Sequence, residues 1–282
     1  MLDLREMGLL DGLRTRVLAL TKELTDGVVD SGHSAVYLRQ LIRGNRGDRA
    51  HAAPDLAGGA ADAETRAPGP PVLLIHGYLA TKGSLHLLEQ QLARRGHVVL
   101  SFRFGPINLG DIRDSAGLVA RKVESIIAQT GVSHVDIVGH SMGGLVGLYY
   151  VKRLGGRHRV RRLVLMGTPA RGTWSALLGL FTAPLGLASL QLLPGSPFLQ
   201  ELSESPLPKG VDVVSIGASR DWLAPVASTA LEGVRSISLP TGHSGLLVDE
   251  AVADTVDRLL REPFPPSAAP TEAHVDGTPR PT

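Results

Sequence analysis

Six short apolar runs, each followed by a longer stretch with helical spacing, constrain this chain more than any other feature. The runs are PVLLIH (71–76), HVVLSFRF (97–104), HVDIVG (134–139), RRLVLMG (161–167), VDVVSIG (211–217) and VRSISL (234–239). They are rich in Val, Ile and Leu and apolar on both faces, as strands must be when helices cover both sides of a sheet. Intervening segments such as DIRDSAGLVARKVESIIAQTG start on an acidic residue, repeat apolar positions at helical spacing and end on glycine. Strand and helix alternating through right-handed crossovers build an open parallel sheet. The expected fold class is therefore α/β, about six-stranded and mainly parallel, with helices on both faces. Ligands of such sheets bind beyond the carboxyl ends of the strands.

The flanks read differently. Residues 1–44 show helical spacing, 45–70 form a Gly/Ala/Asp/Pro-rich linker, and 263–282 form a Pro-rich tail expected to be disordered. That leaves 71–262 as the α/β domain, one core being reasonable for a 282-residue chain with 43% hydrophobic content. Lys+Arg 29 against Asp+Glu 27 gives a net charge of +2, dispersed along the chain, so there is no electrostatic footprint for nucleic acid. The absence of cysteine excludes disulfides and thiolate metal sites. The start, MLDLREMGLLDGL, has acidic residues where a secretory leader needs basic ones; no cleavable signal and a cytoplasmic location are expected. The longest uncharged stretch, Gly172 to Gln200, has the length of a membrane span, but Pro184, Pro194 and Pro197 interrupt it. It reads as a mobile apolar cap over a pocket, within an insertion at about 172–210.

The third run leads straight into Gly139-His140-Ser141-Met142-Gly143, a G-x-S-x-G pattern between strand and helix. A serine exposed on so sharp a turn needs glycine two residues before and after it, because side chains there would collide. The helix that follows aims its free amides and positive dipole end at any oxyanion beside Ser141. The competing reading is a glycine-rich turn that merely packs a helix onto a strand. A serine nucleophile also needs a base and a group to orient it, and in this arrangement the acid precedes the histidine. Asp221 follows the fifth run and His243 the sixth, so both loops open on the same edge as Ser141. Asp212 lies at the opposite end of its run and Asp249 in the last helix. His97 and His134 start strands, His158 sits in a helix-to-strand connection and His274 in the tail. Two backbone amides suit an oxyanion: Tyr78, after His76-Gly77 at the end of the first run, and Met142.

These pieces resemble the α/β-hydrolase superfamily, and within it bacterial lipases and esterases. The matching segments are HGYLAT, VDIVGHSMGGLVGLYY, LVLMGTPARGT, the loop holding Asp221, and TGHSGLL, spread over Pro71 to Arg261. The resemblance implies an α/β-hydrolase fold with a helical cap inserted after the fourth run. It implies ester hydrolysis through an acyl-serine, with Ser141, Asp221 and His243 as triad and Tyr78 and Met142 as oxyanion donors, without cofactor or metal ion. The chain departs from the larger family in lacking two clear strands before Pro71. Trp174, Leu177, Leu178 and Phe181 would line an acyl site, or equally form the core of the cap. The expected partner is an acyl ester or lipid substrate, with room for contact at a membrane or lipid interface through the cap or N-terminal helices. Acyl transfer shares the same intermediate, and an inactive lipid- or protein-binding module is the alternative from another class. Deletion of residues 1–44 is expected to spare hydrolysis of a short soluble ester.

Overall fold

The computed structural model describes residues 31–43, 69–104, 108–178 and 187–264. Every expected run coincides with a strand to within a few residues at its ends: β1 (Val72–Ile75), β2 (Val99–Ser101), β3 (Val135–His140), β4 (Val160–Met166), β5 (Asp212–Ala218) and β6 (Arg235–Leu239). They form one sheet in the order β2-β1-β3-β4-β5-β6, each neighbouring pair parallel. From β1 the chain moves out to the edge strand β2 and then returns past β1 to β3. Loops leaving the carboxyl ends of β1 and β3 therefore diverge, and a crevice opens between them.

Helices cover both faces, as the apolar runs require. Side chains alternate along each strand. Leu73, Ile75, Ile137, Leu163 and Leu165 point to the face packed by α3 (Ile112–Thr130) and α4 (Met142–Arg153). Val72, Leu74, Val138, Val164 and Ile216 point to the face packed by α2 (His86–Arg94) and α8 (Glu250–Arg261). Burying each such side chain contributes roughly 1.5–3 kcal/mol, so the two apolar faces fix strand register. The acidic start and glycine end read from the sequence bound α3: Asp111 accepts from the Arg113 amide at 2.7 Å, and Gly131 ends the helix at φ 71°. The outer strands depart from the expectation of two apolar faces. Arg235, Ser236 and Ser238 of β6 are exposed, because no described strand pairs beyond this edge. β2 keeps three residues, and Phe104 beyond it leaves the ladder to pack edge-on against His76, ring centroids 5.2 Å apart.

Between β4 and β5 stand a 3-10 turn at 174–178, α5 (Ala188–Gln191) and α6 (Pro197–Glu204). The second half of this insertion is packed onto the core. Phe198, Leu199 and Leu202 are buried in the core. Glu201 accepts from Arg113 at 2.8 Å and from the Tyr149 hydroxyl at 2.9 Å, and Gln191 bonds the Ile112 amide and the Asp111 carboxylate. Helix α7 (Val226–Thr229) leads into β6, which completes the sheet, and α1 (Ser31–Arg43) packs against the turns at Lys82–Leu85 and Gly245–Leu247. No described helix is long and apolar enough to cross a membrane. Most of the linker, the tail from 265 and residues 1–30 lie outside the described residues.

Candidate active site

The elbow after β3 is built by exclusion of side chains. Ser141 has φ 54° and ψ −128°, a conformation that costs a non-glycine residue about 1–3 kcal/mol. It is held there by its own amide donating to Met166 O at 2.8 Å and its carbonyl accepting from Gly144 at 3.0 Å. A Cβ on Gly139 would stand 2.5 Å from Gly144 Cα, and one on Gly143 would stand 2.3 Å from Ile75 O. Glycine is thus required by contact between the helix start, its own strand and β1. This closeness places Met142 at the first position of α4, where amides have no intrahelical partner.

Asp221 and His243 come from the loops after β5 and β6. His243 Nδ1–H donates to Asp221 Oδ2 at 2.6 Å, and the other carboxylate oxygen, Oδ1, accepts from the Ala224 amide at 2.8 Å. The Asp221 side chain is 0% exposed and that of His243 11%. With Nδ1 carrying the proton, the neutral ring keeps its lone pair on Nε2. Ser141 and His243 line one cavity of about 260 Å³, together with Tyr78, Leu178 and Leu192. The alternative acids and bases are engaged elsewhere. Asp212 pairs with Arg162, Asp249 caps α8, His97 bonds Asp257, His134 bonds Ser133 and His158 bonds Arg157.

Three residues whose place in the site the sequence did not reveal support this arrangement. Gly167, of the Gly-Thr-Pro segment, has φ 55°; a Cβ there would stand 3.2 Å from both Asp221 Oδ2 and His243 Nδ1. His140 is buried beneath His243, ring centroids 4.6 Å apart, and its Nε2–H donates to the His243 carbonyl at 3.1 Å. Burial, and secondarily the neighbouring His243, hold the His140 imidazole well below its usual pKa, so it stays neutral. His76 Nδ1–H donates to Gly77 O at 3.2 Å, and burial lowers its pKa to about 4. In a trans peptide the carbonyl and amide point to opposite sides. Fixing the Gly77 carbonyl therefore turns the Tyr78 N–H the other way, in a loop where a Cβ on Gly77 would stand 2.8 Å from Ser141 Cβ. The pattern G-H-S carried a signal for His140, which its position beside the serine obscured.

The expected acyl-site residues divide. Leu178 lines the cavity and Trp174 and Leu177 do not, although all three are exposed. Phe181 lies outside the described residues.

The fold agrees with comparisons to known proteins. A family model for the alpha/beta hydrolase fold matches residues 70–199, a span that contains Ser141 and ends before Asp221 and His243. This chain has the α/β-hydrolase fold. Among solved structures it is similar to a Bacillus licheniformis lipase in mature form (TM-score 0.59, 18% identity, 69% of this chain and 94% of that one). It is similar also to Aspergillus fumigatus lipase B (TM-score 0.58, 19% identity, 70% of this chain and 54% of that one). A third is the phospholipase PlaB of Legionella pneumophila (TM-score 0.58, 16% identity, 70% of this chain and 60% of that one). The chain thus matches little more than half of the last two, and at these identities the likeness is one of fold.

Proposed function

We propose that the protein is a carboxylic ester hydrolase acting through an acyl-serine at Ser141. His243 Nε2 takes the Ser141 proton as Oγ attacks the ester carbonyl, and the amides of Tyr78 and Met142 hold the oxyanion. His243 then returns the proton to the departing alcohol, leaving the acyl group on Ser141. A water molecule repeats the attack, giving up its proton to His243 and releasing the carboxylic acid as Ser141 is reprotonated. Asp221 keeps the imidazole in the tautomer this needs. Lipases and a phospholipase among the similar folds support an acyl ester or lipid as substrate.

The single observation that carries this reading is a strained serine facing the same cavity as a histidine whose other nitrogen is tied to a buried carboxylate. A fluorophosphonate probe should label the wild type and not Ser141→Ala. Labelling of Ser141→Ala at the wild-type rate, or none of the folded wild type, would reject the nucleophile. Initial rates on p-nitrophenyl esters from acetate to palmitate then establish that turnover follows labelling.

A further inference from the structure

Helix α1 stands before every strand of the sheet in sequence, yet Tyr37 from its middle lines the cavity that holds Ser141 and His243. Its position there is fixed from two sides. The Tyr37 hydroxyl is hydrogen-bonded with the Ser84 side chain, and Ser84 Oγ–H donates to Thr81 O at 2.8 Å. Burial pushes the phenol pKa up, which keeps the phenol protonated. One turn further along α1, the Leu41 carbonyl accepts from Thr81 Oγ1 at 3.3 Å. Thr81 and Ser84 belong to the segment that follows Tyr78. At the other end of the contact, α1 meets the turn Gly245–Leu247, where a Cβ on Gly245 would stand 3.3 Å from His33 Nδ1. The helix therefore bridges the loop after β1 and the loop carrying His243.

The cavity is small, about 260 Å³, against roughly 300–1,000 Å³ for most small-molecule sites. Leu79, Ala176, Leu178, Leu192 and Leu223 supply apolar wall suited to hydrocarbon, and the hydroxyl residues Thr173, Ser175, Ser189 and Ser244 also line the cavity. We propose that Tyr37 is a wall of the acyl subsite and sets the length of acyl chain that fits, making α1 part of the site. This rests on Ser141 being the acyl-accepting nucleophile. It also revises the expectation that residues 1–44 are dispensable for a short ester: their removal opens the cavity on one side and frees both loops.

The test is the rate at which ethyl p-nitrophenyl n-alkylphosphonates, with alkyl chains from ethyl to dodecyl, modify the full-length protein and release p-nitrophenolate. The wild-type rate should rise with chain length to a limit and then fall. In Tyr37→Ala the limit should move to longer chains, and each methylene newly accommodated should gain up to about fourfold relative to ethyl. Tyr37→Trp should move the limit to shorter chains, and Tyr37→Phe, which keeps the ring, should leave it in place. A part that is merely structural would slow every length alike. An unchanged limit in both Tyr37→Ala and Tyr37→Trp overturns this proposal alone. No modification of the wild type at any length overturns the nucleophile and this proposal with it.

Discussion

The two ends of the sheet bury polar groups in opposite ways. At the amino end, Arg161 and Arg162 stand beside each other in β4, and their guanidinium donors are matched to acceptors. Arg161 pairs with Asp136 and also reaches Leu260 O; Arg162 pairs with Asp212 at 2.6 Å and reaches the carbonyls of Glu262 and Pro263. No described residue there needs positive φ outside glycine. At the carboxyl end the described non-glycine residues with positive φ are Leu79 and Ser141, and His76 Nε2 and His140 Nδ1 are buried without a protein partner. Buried ions that are fully paired hold the strands' starts together. Strain and half-satisfied imidazoles gather where the loops diverge, as expected of a site whose geometry serves chemistry at some expense of stability.

The largest effect that separates the two ends should come from Asp221→Asn. The variant should keep its fold but lose about 10⁴-fold in kcat, because the amide favours the wrong tautomer of His243. Ester hydrolysis compared with thermal melting checks this, and near wild-type turnover would mean that another group orients the base. At the amino end, Arg162→Ala should do the reverse. Breaking a buried pair costs about 3–5 kcal/mol, read in denaturant unfolding, while kcat/KM of the folded fraction stays within about twofold. A large loss of kcat/KM at unchanged stability would erase the contrast between the ends.

How much of this was legible in the sequence follows from where each signal is local. Six runs of β-branched and aliphatic residues identified the strands because burial on both faces leaves no polar alternation to confuse them. It misled at the two edges: β2 keeps only Val99–Ser101 of its run, and Ser236 and Ser238 of β6 face solvent. Ser141 carries its reason in the glycines next to it. Asp221 and His243 were found through strand order, and the structure brings them together at 2.6 Å. Gly167, His140 and Tyr37 escaped because their reasons are tertiary: a gap left for two other side chains, a ring stacked under another loop, and a helix returning from the far side of a linker. Trp174, Leu177 and Leu178 read equally as acyl-site lining or as cap core, because an apolar stretch does not say which of its side chains face a cavity; of the three, Leu178 lines it.

The smallest expected effect is a pH dependence at the carboxyl end. His76 is buried with its pKa lowered to about 4 from an unfolded value of 6.5, mainly by desolvation. Between those values the unfolded chain binds a proton that the folded chain refuses, so stability falls as pH falls. The stabilisation is fully present above pH 6.5 and is lost progressively down to about pH 4. The shift corresponds to about 3 kcal/mol over that window. His140, lowered in the same direction by burial, steepens the same slope. At the amino end burial raises the pKa of Asp136, the opposite case, in which the folded chain holds a proton more readily than the unfolded one, so the decline belongs to the imidazoles. Urea unfolding measured from pH 8 to pH 4 should show this decline, and His76→Phe should flatten it by about one proton's worth of slope. A slope identical in His76→Phe would mean that the buried imidazole under the Tyr78 loop titrates as freely in the folded chain as in water.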